Sequence, residues 1–198
     1  MKIRYAIFLI ILFVSCRKDQ FYPFPWVRGG NTITYNFISG PYSEKAALIF
    51  EVGVYEYTDL LQFQYTYPLW SNLPVGGWAG ENYNIVRKSR GIHKRFSADC
   101  GFGPIFSTQL DSLRVPSKPF IGDSFPEYRC GDRISNIHTV IEIKEVSVPL
   151  GTFFTFVMQD SLYGKKEYWD EKNGLIMIVN FDKNGNETGR FEAASRNF

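Results

Sequence analysis

Cys16 carries the most distinctive chemistry in this sequence, because a thiol can be alkylated to a stable thioether. Lys2 and Arg4 precede ten uninterrupted apolar residues, 5–14, and the small Ser15 stands directly before Cys16. A helix needs about 20 apolar residues to cross a bilayer core, so this segment is too short for a stable span. Its charged start and apolar centre are instead typical of a cleaved export signal.

A small residue directly before a cysteine is the lipobox pattern of bacterial lipoproteins. The thiol accepts a diacylglyceryl group, Ser15 lets the signal peptidase reach the bond before Cys16, and the freed amine can take a further acyl chain such as palmitate. Stable anchoring needs at least two chains, which such a cysteine carries. We therefore predict a signal peptide over residues 1–15, lipidation at Cys16 and a tether over residues 16–20. A plain secretion signal followed by a structural cysteine is the alternative.

The residues after Cys16 bear on sorting within the envelope. Position two of the mature chain is Arg17 rather than aspartate, and by resemblance to Gram-negative lipoproteins this argues against retention in the inner membrane. We expect an outer-membrane lipid anchor. The tetrad Cys16-Arg17-Lys18-Asp19 partly resembles the charged tags that place some lipoproteins on the cell surface, so the domain faces either the periplasm or the surface.

Composition places the mature chain among globular proteins. Removal of residues 1–15 takes away Lys2 and Arg4 and no acidic residue, so 22 basic and 20 acidic residues become 20 and 20. A nucleic-acid-binding domain normally carries a strong basic excess. A disordered chain lacks the apolar content of this one, which is 44% hydrophobic and 17% aromatic. We predict a single β-rich domain over residues 21–198.

Two cysteines remain after Cys16, namely Cys100 and Cys130. Export places them in an oxidising compartment, so we predict a disulfide between them. By the chain-entropy estimate this bond stabilises the fold by roughly 3.5 kcal/mol. A metal site is the alternative, but neither cysteine has a second cysteine or histidine at ligand spacing, and His93 and His138 are isolated. We expect no metal and no cofactor.

Alternating and β-branched segments indicate strands. Residues 31–37 alternate cleanly, residues 48–57 are rich in β-branched and aromatic side chains, and residues 82–87 are a further candidate. Five more candidates follow at 139–148, 152–158, 166–169, 175–181 and 187–192. Turn sequences separate them, and two of these contain Asn-Gly, the strongest short hairpin signal. Residues 99–119, rich in Gly, Pro and Ser, are predicted to form long loops.

The predicted fold class is all-β and mainly antiparallel. No long helical period occurs, although one short helix could begin at Ser43 and run over residues 43–47. A meander with one apolar face must curl, pair with a second sheet or be covered. We therefore expect a curved sheet or a partly open β-barrel.

Several of these segments resemble a broad group of uncharacterised Gram-negative envelope lipoproteins. The matching segments are Tyr22-Pro23-Phe24, residues 30–35, residues 148–153, Tyr168-Trp169 and Gly174-Leu175-Ile176. The likeness runs from about residue 22 to residue 195 and departs at Ile33, where the group prefers tryptophan. The resemblance implies an open barrel or strongly curved sheet with an apolar concave face, and it supplies no catalytic residues.

Two further patterns are candidate binding sites. The dense basic run at residues 87–95 could contact phosphates of lipid headgroups or lipopolysaccharide, or it could be a solvated hairpin tip. Its cations are Arg87, Lys88, Arg90, Lys94 and Arg95. Alternating aromatic residues could line a pocket for an apolar or carbohydrate ligand, or pack a core. These are Tyr55, Tyr57, Phe63, Tyr65 and Tyr67.

The sequence carries none of the common catalytic signatures. It has no Gly-x-Ser-x-Gly elbow, no His-Glu-x-x-His and no phosphate-binding glycine loop. We predict a noncatalytic binding module for a lipid, a glycan or another small ligand, with no nucleic-acid partner. The alternative is an assembly or inhibitory module that binds another envelope protein. An enzyme comes third, with Asp99, Asp123 and Glu127 as acids that the fold could bring together.

Overall fold

The computed structural model describes residues 24–38, 48–57, 60–66, 82–88, 90–95, 111–129, 133–162 and 164–198. These ranges contain twelve strands and no helix. In chain order the strands are β1 (Asn31–Ile38), β2 (Leu48–Tyr57), β3 (Leu60–Thr66), β4 (Asn82–Lys88), β5 (Gly91–Arg95), β6 (Asp111–Pro116), β7 (Ser124–Arg129), β8 (Arg133–Val148), β9 (Gly151–Asp160), β10 (Lys165–Asp170), β11 (Gly174–Phe181) and β12 (Glu187–Arg196). The described residues do not include Cys16, Cys100, Cys130 or residues 43–47. The lipidation of Cys16, the disulfide between Cys100 and Cys130 and the short helix over residues 43–47 therefore stay predictions.

All twelve strands belong to one sheet, in the order β6-β5-β4-β3-β2-β1-β12-β11-β10-β9-β8-β7. Each strand pairs antiparallel with a sequence neighbour, and β1 also pairs antiparallel with β12. The sheet is thus a meander whose first and last strands meet at its centre. The predicted all-β, mainly antiparallel fold is confirmed.

The sheet curls until its two outer strands, β6 and β7, face each other. The backbone N of Tyr128 in β7 donates to Oγ of Ser112 in β6 at 3.1 Å, and Lys94 Nζ in β5 lies 2.6 Å from Glu127 Oε1 in β7. Among the described residues no β-ladder joins β6 to β7. We call this contact the seam, and it makes the fold a partly open barrel.

The antiparallel order gives the barrel two ends. The N-terminal end holds the start of β1, the end of β12 and the connections β4–β5, β6–β7, β8–β9 and β10–β11. The opposite end holds the connections β9–β10 and β11–β12. The described chain therefore enters the barrel at the N-terminal end.

A turn ahead of β1 closes the N-terminal end of the interior. Two prolines exclude this stretch from a central strand, and it folds so that Trp26 stacks against Trp169, with ring centroids 5.7 Å apart, while Phe24 packs edge-on against Trp26 at 6.2 Å. At Gly174 (φ +87°) a Cβ would lie 3.0 Å from the Trp26 ring, so only glycine fits beside it. The buried core that results includes Val27, Ile33, Tyr35, Ile85, Ile92, Val115, Val140, Phe156, Met158, Leu175, Ile178, Phe191 and Ala193.

The sequence patterns did not predict four of the strands, namely β3, β5, β6 and β7. The prediction of long loops over residues 99–119 is wrong where β6 lies, at Asp111–Pro116. Ser112 and Arg114 in this strand are each only 3% exposed. Polar side chains thus face the interior here, and the usual alternation of buried apolar and exposed polar residues is absent.

Candidate functional site

Charged side chains form a buried network in the barrel interior. Lys165, Glu167 and Trp169 lie two residues apart on β10, so alternation places them on the same face. Lys165 Nζ is 2.7 Å from Glu167 Oε1, and Trp169 Nε1 donates to Glu167 Oε2 at 3.1 Å. Glu167 is 1% exposed, so its charge is held entirely by protein groups.

Arg114 reaches the same carboxylate from β6. The register between β5 and β6 shifts beside this residue, and such a bulge re-aims a side chain. Its Nη2 donates to Oε1 and Oε2 of Glu167 at 2.7 and 2.6 Å, and its guanidinium lies 5.7 Å from the centroid of Trp169. Because β6 and β10 are not neighbours in the sheet, this ion pair crosses the interior.

A second cluster of charges lies at the seam. Glu127 Oε1 is 2.6 Å from Lys94 Nζ, and Glu127 Oε2 is 2.9 Å from His138 Nε2. These contacts link β5, β7 and β8. Together with the first cluster they form what we call the interior charge network, namely Lys94, Arg114, Glu127, His138, Lys165 and Glu167.

The two glutamates of the network are ionised at neutral pH. Burial alone would raise the pKa of Glu167, but the positive charges of Arg114 and Lys165 outweigh it and hold that pKa well below its usual range. Burial also acts to raise the pKa of Glu127, and the hydrogen bond from His138 together with the charge of Lys94 lowers it well below its usual range. A general acid or base works best with a pKa near the operating pH. Neither carboxylate therefore suits proton transfer.

Tyr35 extends the polar interior toward the apolar core. Its hydroxyl donates to the backbone oxygen of Leu175 at 2.5 Å. Burial and the negative charge of Glu167 raise the pKa of Tyr35 well above its usual range. The phenol is consequently a fixed hydrogen-bond donor that ties β1 to β11, and it is not available as a base.

A cleft of about 300 Å³ opens beside the seam at the N-terminal end of the barrel. Leu113, Pro116 and Phe125 give it an apolar wall, and charged or hydroxylated side chains complete it. The full lining is Arg90, Leu113, Pro116, Ser117, Lys118, Asp123 and Phe125. The cleft thus presents two cations, one carboxylate and one hydroxyl beside an apolar wall. This combination suits a small ligand that has an anionic or hydroxylated group. We call it the seam cleft.

Local backbone geometry places Arg90 at the seam cleft. Gly91 follows it with φ +140°, and a Cβ there would lie 2.1 Å from the backbone oxygen of Val115. Glycine therefore allows β5 to begin in close contact with β6. The backbone oxygen of Arg90 then accepts from Ser117 N at 3.0 Å, which joins the two connections that carry the cations of the cleft.

The β6–β7 connection, residues 117–123, is held firmly by hydrogen bonds. Asp123 Oδ2 accepts from Phe120 N at 2.9 Å, and Asp123 N donates to Phe120 O at 3.1 Å. Gly122 N donates to Val140 O, and Val140 N donates to Asp123 O, both at 2.8 Å. The connection is thus fastened to β8, and Asp123 of the cleft is held in place by its turn.

The predicted basic run is divided between the surface and the interior. Lys88 and Arg90 are exposed at the N-terminal end, whereas Lys94 points inward to Glu127. Among the described side chains of this run, Arg90 alone lines the seam cleft. The side chains of Arg87 and Arg95, like those of Tyr55, Tyr57, Phe63, Tyr65 and Tyr67, lie outside the described set, so their roles stay predictions.

The acids considered for catalysis have different surroundings. Asp123 lines the seam cleft and caps its turn, while Glu127 belongs to the interior charge network. Asp99 lies outside the described residues. In the part of the chain that the structure describes, no group of three His, Cys, Asp or Glu side chains converges as metal ligands would, and no helix there is long and apolar enough to cross a membrane.

Sequence reasoning did not find the residues that contribute most to these two sites. Lys118 of the cleft stands next to Pro119 in a segment with no periodic pattern. Arg114 and Glu167 lie 53 positions apart in the chain. The spacing of Lys165, Glu167 and Trp169 at every second position places them on one face of β10, but this spacing does not show that the face turns inward.

Comparison with known proteins gives no family assignment. No protein-family model matches the chain, and no curated protein matches it. Two solved structures are similar to it at 12% sequence identity. One is a Bacteroides fragilis protein described as exported with a YmcC-like fold, with a TM-score of 0.42 over 86% of this chain and 97% of the other. The second is a Parabacteroides distasonis protein described as a lipoprotein, with a TM-score of 0.46 over 91% of this chain and 100% of the other.

Both TM-scores are below 0.5. The sequence identities are also far too low to indicate a shared activity. Interpretation of the site therefore rests on the residues of this chain.

Proposed function

We propose that this protein is a noncatalytic, lipid-anchored envelope protein that binds a small anionic or hydroxylated ligand, such as a glycan or a lipid headgroup, in the seam cleft. The observation that carries the proposal is the cleft itself, where Arg90 and Lys118 stand beside the apolar surface of Leu113 and Phe125. Cations recognise anionic oxygens, and an aromatic ring can pack against an apolar ligand face. The volume of about 300 Å³ suits a ligand of roughly one sugar ring or one headgroup.

The described interior supports a site on the rim over a site in the lumen. Trp169, Tyr35 and Met158 are each at most 1% exposed, and the interior charge network occupies the space beside them. The apolar concave face that the family resemblance implied is thus an interior of apolar packing at one end and paired charges beyond it. An acyl chain that entered the described part of the interior would have to displace one or the other, at the cost of lost packing or of unpaired buried charge.

The anchor is the second part of the proposal. Cys16 carries acyl chains after removal of residues 1–15, and Arg17 at the next position directs the protein to the outer membrane. The support is the sequence pattern around Ser15 and Cys16. Mass spectrometry of the denatured protein tests this part directly: the expected chain begins at Cys16 and carries the added mass of its acyl chains, and an unmodified chain would contradict it.

Native mass spectrometry of the full chain, purified in mild detergent from a Gram-negative envelope, tests the ligand. We expect a reproducible extra mass that is released on denaturation, and we expect Arg90→Ala/Lys118→Ala to abolish it. The variant Lys166→Ala/Lys183→Ala is the matched control, since it removes the same charge at the opposite end of the barrel. A wild-type chain with no extra mass, or equal retention by both variants, would overturn the proposed site.

An apolar surface favours a second candidate function, the binding of another envelope protein. Ile134 and Leu162 are 57% and 55% exposed, and Ile137 is 39% exposed. Ser161 N donates to Ile137 O at 3.0 Å, which brings the strand and the turn together at the opposite end of the barrel. Exposed clusters of large apolar residues commonly mark interaction sites. Affinity purification from solubilised membranes should then recover one stoichiometric partner, and Leu162→Ser should lose it.

A further inference from the structure

We infer that the N-terminal end of the barrel docks on an anionic phospholipid bilayer, with Phe120 and Ile121 inserted at the apolar level of the membrane. This inference rests on the proposed lipidation of Cys16 for the closeness of the membrane, but it concerns a surface of the folded domain. It assigns an orientation to the barrel and a role to the β6–β7 connection.

The tip of the β6–β7 connection presents two adjacent large apolar side chains to solvent. Phe120 is 69% exposed and Ile121 is 64% exposed. An exposed large apolar pair is informative because such side chains are normally buried in a soluble domain. The hydrogen bonds that fasten residues 117–123 to Val140 keep the pair from folding back onto the barrel. The tip is therefore a rigid apolar projection.

Positive charge surrounds this tip. Six exposed cations lie in the connections and strand ends at the N-terminal end, namely Arg28, Lys88, Arg90, Lys118, Lys172 and Arg196. Of the described acids in the same connections, Asp170 and Asp123 accept hydrogen bonds from backbone N–H groups, and Glu171 is exposed. A basic rim around an apolar tip is complementary to anionic headgroups above an acyl layer.

The position of the chain's entry brings this end to the membrane. Phe24, the first described residue, lies at the N-terminal end, eight residues after Cys16. Eight extended residues span at most about 28 Å. The opposite end also has exposed apolar residues, but its described β11–β12 turn carries Asp182, Lys183 and Glu187, without a comparable excess of cations. Charge and tether thus favour the same end.

Photocrosslinking in the full chain distinguishes the two ends. Ile121 or Leu162 is replaced by a photoreactive diazirine amino acid, and the purified protein is reconstituted in vesicles of phosphatidylethanolamine and phosphatidylglycerol. Leu162 is the matched control because it is an exposed apolar turn residue at the opposite end. We expect on the order of tenfold more lipid adducts at position 121 than at 162, and fewer adducts at 121 in vesicles of phosphatidylcholine alone.

The mass of the same sample separates failure of the docking surface from failure of the anchor. An acylated chain with equal labelling at both positions would overturn the docking surface and leave the anchor intact. An unacylated chain that still labels lipid from position 121 would support the docking surface and contradict the anchor. An unacylated chain with no lipid adducts would overturn both. Phe120→Ser/Ile121→Ser should reduce labelling from a probe at Pro119 about tenfold without lowering the melting temperature, since both replaced side chains are exposed.

Discussion

Replacing Glu167 by glutamine tests whether the interior charge network stabilises the barrel. In the wild type, Arg114 Nη2 lies 2.6 Å from Glu167 Oε2, and Lys165 Nζ lies 2.7 Å from Glu167 Oε1. The side chain of Glu167 is 1% exposed, and those of Arg114 and Lys165 are each 4% exposed. Glutamine keeps the shape but removes the negative charge, so two buried cations face each other. Removal of one partner from a buried pair costs about 3–5 kcal/mol. Each kcal/mol lowers the melting temperature of a domain this size by about 2–4 °C, so we expect a fall of about 6–20 °C.

The matched control is Glu187→Gln. Glu187 accepts two hydrogen bonds from Arg190, at 2.6 and 2.8 Å, so it too pairs with an arginine through both carboxylate oxygens. Its side chain is 33% exposed and that of Arg190 is 37% exposed, and such pairs contribute less than about 1 kcal/mol. Urea denaturation of the full chain, followed by circular dichroism, measures both variants. If Glu167→Gln lowers the free energy of unfolding no more than Glu187→Gln does, the argument from buried charge is refuted.

Acid pH gives an independent measurement of the same network. The pKa values of Glu127 and Glu167 are held well below the usual range in the folded state, so the unfolded chain binds more protons as pH falls. Their contribution is fully present above about pH 5 and is lost progressively as the pH falls through the unfolded pKa of about 4.3 toward the folded-state values. We expect the free energy of unfolding of the wild type to fall steeply over this range. In Glu167→Gln the slope should be shallower, because one of the two groups no longer titrates.

Three further perturbations test particular contacts. Gly91→Ala should lower the melting temperature more than Gly122→Ala. Both glycines have positive φ, but only at Gly91, of the two, would a Cβ meet the backbone, 2.1 Å from Val115 O. Equal shifts in melting temperature would contradict the close approach of β5 to β6. Trp26→Ala should lower the free energy of unfolding, measured by urea denaturation, by about 3–5 kcal/mol, because Trp26 is only 3% exposed. A decrease below about 1 kcal/mol would show that the Trp26 side chain does not close the barrel. Peptide mapping without reductant should recover Cys100 and Cys130 in one linked peptide, and free thiols at both would disprove the disulfide.

The sequence predicted the strands in which burial follows apolar character. β11 is Gly174–Phe181, with seven of its eight residues buried, and its continuous run of aliphatic residues between two turn sequences indicated a strand. β1 lies where alternation placed it, within one residue, and β12 extends four residues beyond the predicted segment 187–192.

The charged strands could not be found in the same way. Arg114 in β6 and Glu127 in β7 point inward because each has an opposite charge from a distant part of the chain. A prediction that assigns polar residues to the surface places Arg114 and Glu127 outside the barrel, or predicts a loop in place of β6 or β7. The partners are known only once the sheet has curled, and no local signal in the sequence contains that information. The same reason hid the seam cleft, whose cations come from two different connections.

The seam accounts for both the cleft and the apolar tip. In a closed barrel β6 and β7 would pair through their backbones. Here the backbone N of Tyr128 in β7 donates to the Ser112 side chain of β6, and Glu127 of β7 pairs with Lys94 of the next strand, β5. Unpaired strand edges invite pairing with other chains, and these contacts cover part of the edge. Residues 117–123 run from β6 to β7 across the seam and hydrogen-bond to Val140 of β8. The cleft lies between this connection and Arg90, and Phe120 and Ile121 of the same connection are exposed. The rim of the barrel can therefore hold the proposed ligand site and the proposed membrane-facing tip, while the described part of the interior is filled by packed apolar residues and paired charges.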